Sequence, residues 1–110
     1  MIVCIGTTPT VQRTMRFASL HAGEVNRAAS TLQTASGKSV NVARVLTTLG
    51  VPCIATGFLG SDSGQFIRRE LDEAKIAHDF VEVQPATRTC TTIIDQASGE
   101  VTELVEESKQ

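Results

Sequence analysis

The segment SGKS, at residues 36–39 of this 110-residue chain, raises the question of whether the chain binds a nucleotide phosphate there. A glycine followed by Lys and Ser also ends the nucleotide-binding P-loop, whose full pattern is Gly-x-x-x-x-Gly-Lys-Ser. The first glycine of that pattern lets the loop wrap its N–H groups around the phosphates, and this chain has Leu32 there. Because leucine cannot supply that turn, we reject a P-loop, and the presence of Gly37 and Lys38 needs another explanation.

A helix is predicted directly after this segment. Its apolar residues follow the i, i+3, i+4, i+7 spacing of one helix face, and Gly50 ends the pattern. The apolar positions are Val42, Val45, Leu46 and Leu49, which we expect to pack on a parallel sheet. The start of the helix would present free N–H groups to an oxyanion or a sugar hydroxyl. In the alternative interpretation, Ser36 or Ser39 only caps the helix, and Lys38 is solvated.

Two further polar residues have the chemistry of a ligand site. Asn41 lies in the first turn of the predicted helix, where asparagine is an indifferent helix former. Its amide can both donate to and accept from sugar hydroxyls, although a capping bond is the alternative. Arg88 lies between threonines at the start of a predicted strand. Its guanidinium fork matches a phosphate bidentately, and the alternative is an exposed strand arginine.

The composition is that of one small soluble domain. The chain is 41% hydrophobic and 20% charged, and its formal net charge is −2. We therefore expect neither nucleic acid nor an acidic membrane surface as a partner. No apolar run approaches the ~20 residues needed to span a bilayer, and the first residues do not resemble a signal peptide. We expect a cytoplasmic protein.

The cysteines and histidines do not suggest a metal site. Cys4, Cys53 and Cys90 lie far apart in apolar or strand-like segments, without metal-ligand spacing. They are expected to be buried, reduced thiols. His21 and His78 have no cysteine or second histidine nearby, so we expect them in loops or at the surface.

Alternating strands and helices predict an α/β core. Apolar runs bounded by glycine or turn residues predict strands at residues 1–5, 53–60 and 77–83. A second helix is predicted from Ser61, with capping residues at 61–63. Its apolar face consists of Phe66, Ile67, Leu71 and Ala74. This order of elements is typical of βαβ units and a parallel sheet.

Two pairs of β-strands interrupt that core. Residues 10–34 alternate loosely around a turn at 21–24, and residues 87–106 are predicted to form a hairpin around the QASG turn. Such strand pairs are suited to covering a cleft at the C-terminal edge of a parallel sheet, where ligands bind in open α/β folds. The chain is divided into a core at about 1–9 and 35–83 and lid strands at about 10–34 and 84–106.

Five segments together resemble the PfkB, or ribokinase-like, family of sugar kinases. SGKSVNVARVLTTLGVP resembles the family's GGKGxNVARxLxxLG, and GFLGSDSGQFIRREL resembles the GxxGxDxxGxxixxxL that follows it. IGTTPTVQRTM occupies the place of the opening TLNPALD. GEVNR and TRTCTTIIDQASGEVTEL resemble lid strands of the phosphosugar branch, which includes 1-phosphofructokinases and tagatose-6-phosphate kinases.

The resemblance implies the N-terminal third of a ribokinase-like three-layer α/β fold with a β-strand lid. The implied activity of the complete protein is ATP-dependent phosphoryl transfer, with Mg²⁺, to a phosphorylated ketohexose such as fructose 1-phosphate or tagatose 6-phosphate. The family's GAGD segment, catalytic base and ATP site lie beyond this part, so no catalytic or cofactor-binding residue is expected in the chain. A homodimer through the lid strands is also implied. The alternatives are a non-catalytic sugar-phosphate-binding or interaction protein and a stand-alone domain without a ligand.

The resemblance also assigns substrate contacts. Asn41 matches the asparagine of the family's NVA, and Arg88 matches the TR arginine that binds the substrate phosphate. Gln12 stands where the family has a substrate-binding aspartate, and loss of that charge-assisted bond costs about 1.5–3 kcal/mol. The implied substrate-binding set is Gln12, Ser36, Gly37, Lys38, Asn41 and Arg88.

Overall fold

The computed structural model describes residues 1–109, which form two sheets and two helices. The strands are β1 Ile2–Gly6, β2 Thr10–Phe17, β3 Ser30–Ser36, β4 Cys53–Leu59, β5 Val81–Glu82, β6 Arg88–Asp95 and β7 Val101–Leu104. The helices are α1 Lys38–Thr48 and α2 Ser61–Glu73. The core sheet has the order β1-β4-β5, and the outer sheet has the order β3-β2-β6-β7. The predicted α/β class is confirmed.

The core sheet is parallel throughout and carries both helices on one face. The strands β1, β4 and β5 lie side by side in chain order, and residues of α1 and α2 share one buried cluster with residues of β1 and β4. Residues alternate along β4, so that every second side chain is buried under the helices. The buried core includes Cys53, Ala55 and Leu59 from β4, Val40 and Ala43 from α1, and Ile67 and Leu71 from α2.

The predicted inward face of α1 is wrong. Val42, Val45 and Leu49 are 50%, 59% and 69% exposed, and of the predicted stripe only Leu46 packs against the core. The inward side is formed instead by Ser39, Val40 and Ala43. The helix carries apolar residues on two sides, and the smaller ones meet the sheet because they allow a closer approach.

The second helix follows its predicted pattern more closely. Ile67 and Leu71 are buried and Phe66 packs beside them, whereas Ala74 lies just past the end of the helix. The predicted caps at 61–63 form no side-chain capping bond. Ser63 Oγ instead donates to the Thr87 carbonyl at 2.7 Å and links α2 to the start of β6. Neither α1 nor α2 is long and apolar enough to cross a bilayer.

The outer sheet combines the two predicted strand pairs. The hairpin predicted for residues 87–106 is confirmed, since β6 and β7 pair antiparallel. The second strand of the first pair begins only at Ser30, and Val25 lies in the loop before it, 83% exposed. The two pairs join because β2 and β6 lie side by side and parallel, with Gln12 opposite Cys90.

Alternation gives the outer sheet two chemically different faces. One face includes Val11 and Ala35, which are buried in the core. This face lies against α2, where the backbone N–H of Ala35 donates to Glu70 Oε1 at 2.7 Å. The opposite face carries the other set of alternating residues, including Gln12 and Thr92. That face is therefore free to form one wall of a cleft.

All three cysteines are buried, free thiols. Burial raises the pKa of the Cys4 thiol, and the neighbouring Cys53 raises it further. Because the thiolate is the reactive form, this higher pKa leaves a smaller fraction of Cys4 in the reactive state.

Candidate functional site

A cleft of about 550 Å³ lies between the start of α1, the loop after β1 and the second face of the outer sheet. The six residues assigned from sequence all line it: Gln12, Ser36, Gly37, Lys38, Asn41 and Arg88. Its wall also includes the loop Thr7–Thr10, Cys90 and Glu103. The residues that line the cleft thus come from four separate segments of the chain. The role of the six assigned residues in substrate binding stays a prediction.

The start of α1 opens into this cleft without a side-chain cap. The N-cap residue is Gly37, with φ 117°, and neither Ser36 nor Ser39 caps the helix in the described chain. The first intrahelical bond runs from the Asn41 N–H to the Gly37 carbonyl at 2.8 Å. The N–H groups of the first turn of α1, before Asn41, have no partner within the helix and can bind a ligand. The helix dipole favours a negative charge there.

Position 37 requires a glycine because of its backbone conformation and because Pro9 lies close to it. A positive φ of 117° is rarely adopted by other residues, and a Cβ would lie 3.1 Å from Pro9 Cα. We predict that Gly37→Ala lowers the free energy of unfolding by about 1–3 kcal/mol, from backbone strain and crowding of the loop after β1. Chemical denaturation measures this.

The matched control is Ser36→Ala, one residue earlier. Its Oγ has one long bond, to Asn41 Oδ1 at 3.4 Å, so its loss should change stability by less than about 0.5 kcal/mol. Equal stability of Gly37→Ala and the unaltered protein would show that the turn is not constrained as described.

Asn41 has only a weak partner in the unliganded cleft. Apart from the 3.4 Å contact with Ser36 Oγ, its side-chain amide makes no hydrogen bond within residues 1–109, and it makes no capping bond. Lys38 is exposed, and no described carboxylate pairs with its ammonium. Both side chains are therefore available to a ligand.

Arg88 is not a freely exposed strand arginine. One of its terminal nitrogens donates to the Thr8 carbonyl at 3.1 Å, and the other donates to the Glu106 carbonyl at 3.3 Å. These neutral acceptors hold the guanidinium in place without cancelling its charge, and its buried Nε has no partner in residues 1–109. A fixed, unneutralised guanidinium beside Lys38 and a helix start is suited to an anionic group.

A chain of polar side chains lies on the outer-sheet wall of the cleft. Gln12 Nε2 donates to Thr92 Oγ1 at 2.7 Å, and Thr92 Oγ1 donates to the Glu103 carboxylate at 2.9 Å. Sequence reasoning assigned no role to Glu103. Strand alternation is the only signal that could have identified Glu103. It does so only once the register is known, because the register places Glu103 opposite Thr92.

The backbone before the Gly37–Lys38 turn does not have the conformation of a P-loop. Leu32, where a P-loop would have its first glycine, lies within the extended strand β3 opposite Thr14. The backbone before Gly37 is therefore paired in a sheet and cannot wrap around phosphates. Residues 1–109 also contain no group of three His, Cys, Asp or Glu side chains that could hold a metal ion.

Comparison with solved structures identifies close relatives of the fold. A phosphofructokinase candidate from Staphylococcus aureus is 32% identical and matches with a TM-score of 0.89, over 98% of this chain and 34% of its own. A 1-phosphofructokinase candidate from Thermotoga maritima is 30% identical, with a TM-score of 0.82, over 94% of this chain and 34% of its own.

Phosphofructokinase-2 from Escherichia coli, solved with fructose-6-phosphate, shares the fold at 21% identity. Its TM-score is 0.91, over 97% of this chain and 35% of its own. The same E. coli enzyme has a tetrameric inhibited form. The present chain thus spans about a third of the length of these three proteins. The model of the pfkB family of carbohydrate kinases matches residues 1–110, and the chain therefore belongs to that family.

Proposed function

We propose that the complete protein containing this chain transfers a phosphoryl group from ATP to a hydroxyl of a phosphorylated ketohexose, such as fructose 1-phosphate or tagatose 6-phosphate. The observation that carries the proposal is the cleft itself, where Lys38, Arg88 and the uncapped start of α1 surround one space. Membership of the pfkB family supports the carbohydrate kinase class.

The charge distribution favours a phosphorylated sugar over a free one. The Arg88 guanidinium is bonded only to neutral carbonyls, so its charge is available to a phosphate. Lys38 and the start of α1 add positive potential to the same cleft. A neutral sugar would need hydrogen bonds but would gain little from three sources of positive charge.

This part of the protein contributes substrate binding rather than phosphoryl transfer. Phosphoryl transfer depends on positioned nucleotide phosphates and metal ions, and the Gly37–Lys38 turn does not fit that task. In the proposed enzyme ATP and Mg²⁺ bind to the remaining two-thirds of the protein, which also supplies the base. The outer sheet acts as a lid over the substrate.

The test is a coupled kinase assay of the complete protein against matched pairs of substrates. Fructose 1-phosphate and tagatose 6-phosphate are compared with fructose and tagatose, at fixed ATP and Mg²⁺. We expect kcat/KM to be about ten- to a hundredfold higher for a phosphorylated sugar, because a phosphate contact to a guanidinium contributes roughly 1.5–3 kcal/mol. A preference for the unphosphorylated sugars would contradict the proposal.

A non-catalytic sugar-phosphate-binding protein is the second candidate. Gln12, in place of the aspartate expected from the family resemblance, favours it, because an amide lacks the charge of a carboxylate. The same assay separates the two candidates when it is combined with calorimetry. Binding of a sugar phosphate without turnover by the complete protein would support this second function.

We also propose that the lid strands pair between two copies of the protein. Leu32 and Val101 are 62% and 59% exposed, and both lie on the face of the outer sheet that does not contact α2. Within residues 1–109, the edge strands β3 and β7 each lack a neighbour on one side. An exposed apolar face with open edges is suited to pairing with a second copy.

Leu32→Arg is therefore expected to convert a dimer of the complete protein into a monomer, because two charges would be buried against each other. Light scattering at several concentrations measures the change. Val25→Arg is the control, since Val25 is 83% exposed in the loop between β2 and β3. A monomeric unaltered protein at high concentration, or a dimeric Leu32→Arg variant, would contradict pairing through the lid.

A further inference from the structure

Glu103 is the ionisable group of the cleft whose role the resemblance leaves open. It lies on β7, directly opposite Thr92 of β6, and it lines the cleft together with Gln12 of β2. The hydrogen-bonded chain from Gln12 through Thr92 to Glu103 crosses three neighbouring strands. A carboxylate thus reaches the same wall of the cleft as the glutamine.

The direction of this chain follows from its protons. An ionised carboxylate can only accept, so the single hydroxyl proton of Thr92 points to Glu103. Thr92 Oγ1 can then only accept from Gln12, at a distance of 2.7 Å. If the amide were reversed, two oxygens would face each other at that distance without a proton between them. Glu103 therefore fixes the orientation of the Gln12 amide.

This orientation makes the outer-sheet wall rich in hydrogen-bond acceptors. One amide hydrogen of Gln12 is used by Thr92, which leaves Oε1 as an acceptor and one further N–H. The Glu103 carboxylate offers about four lone-pair sites, and the single hydroxyl proton of Thr92 leaves most of them available. Acceptors of this kind bind the hydroxyl groups of a sugar and repel a phosphate.

We infer that Glu103 supplies the carboxylate for the sugar hydroxyls that position 12 lacks in this chain, with Gln12 held beside it as a second acceptor. The inference rests on the proposed function. Lys38 and Arg88 take the phosphate, and Glu103 with Gln12 takes the hydroxyls of the same substrate. The cleft is bipolar, and it selects a molecule with an anionic group and a polyol.

The test measures the affinity of the complete protein for tagatose 6-phosphate and fructose 1-phosphate by calorimetry, with inorganic phosphate as a separate probe. Glu103→Gln is expected to raise the Kd of the preferred sugar phosphate at least about tenfold, the scale of one charge-assisted hydrogen bond. The Kd of inorganic phosphate should change less than about twofold or should fall, because a negative charge has been removed from the cleft.

The matched control is Glu100→Gln, which makes the same chemical change near the turn of the same hairpin and outside the cleft. It should leave both Kd values unchanged. The double variant Gln12→Asp with Glu103→Gln moves the carboxylate back to position 12, and should restore the sugar-phosphate Kd to within about threefold. Restoration by a relocated charge distinguishes a substrate contact from a purely structural role.

The two hypotheses fail in different ways. Binding of sugar phosphate by the unaltered protein, with no loss in Glu103→Gln, would overturn the role of Glu103 and leave the proposed function intact. Equal losses for sugar phosphate and inorganic phosphate would also overturn it, because the residue would then act on the whole cleft. No binding of any sugar phosphate by the unaltered protein would overturn the proposed function and this inference together.

Discussion

Arg88→Ala in the complete protein is expected to weaken binding of a sugar phosphate by about a hundredfold and binding of the unphosphorylated sugar by less than about threefold. The guanidinium is held in the cleft by the carbonyls of Thr8 and Glu106, so its charge is already placed where a phosphate would bind. A free sugar has no group that needs this fork. Calorimetric titration of both ligands measures the difference.

Two further variants separate the phosphate contact from other effects. Arg16→Ala removes an arginine that lies on β2, in the same sheet as Arg88, but does not line the cleft. It should change neither the affinity for the sugar nor that for the sugar phosphate. Asn41→Ala should weaken both ligands by a similar factor, about tenfold, because an amide binds hydroxyls that both ligands share. Equal losses for sugar and sugar phosphate in Arg88→Ala would remove Arg88 from the phosphate role.

The elements of the fold could be predicted from local patterns, but their mutual packing could not. The order of strands and helices follows from apolar runs and glycines, and the hairpin follows from its turn. The inward face of α1 could not be chosen, because Val40 and Ala43 compete with Val42 and Val45 as apolar faces. That choice depends on the neighbouring sheet, which the helix sequence does not specify.

The parallel pairing of β2 with β6 has no local signal. In the sequence, β3, α1, β4, α2 and β5 separate the two strands, so nothing local to either strand indicates that Gln12 lies opposite Cys90. The cleft could be predicted in part, since the family resemblance placed Gln12, Asn41 and Arg88 in one site. Glu103 was missed because its position depends on the register between β6 and β7.

A protein limited to residues 1–110 is expected to show no phosphorylation of fructose 1-phosphate or tagatose 6-phosphate above the background rate with ATP and Mg²⁺. Phosphoryl transfer requires the nucleotide, the metal ions and the base to be positioned together, and removing that apparatus costs many orders of magnitude in rate. The described residues offer no triphosphate cradle, because β3 is extended up to Ser36. A coupled assay against the complete protein measures the loss.

The decisive control is repurification, because a trace of a contaminating kinase would mimic activity. Turnover that survives repurification and remains proportional to the amount of the 110-residue chain would show that the catalytic groups lie within it. Lys38→Ala then identifies where they act. If the unaltered chain binds ATP tightly and this variant does not, Lys38 holds a nucleotide phosphate, despite Leu32 in place of the P-loop glycine. If the chain binds no ATP, Lys38 is expected to bind the anionic group of the sugar substrate, as the charge distribution of the cleft predicts.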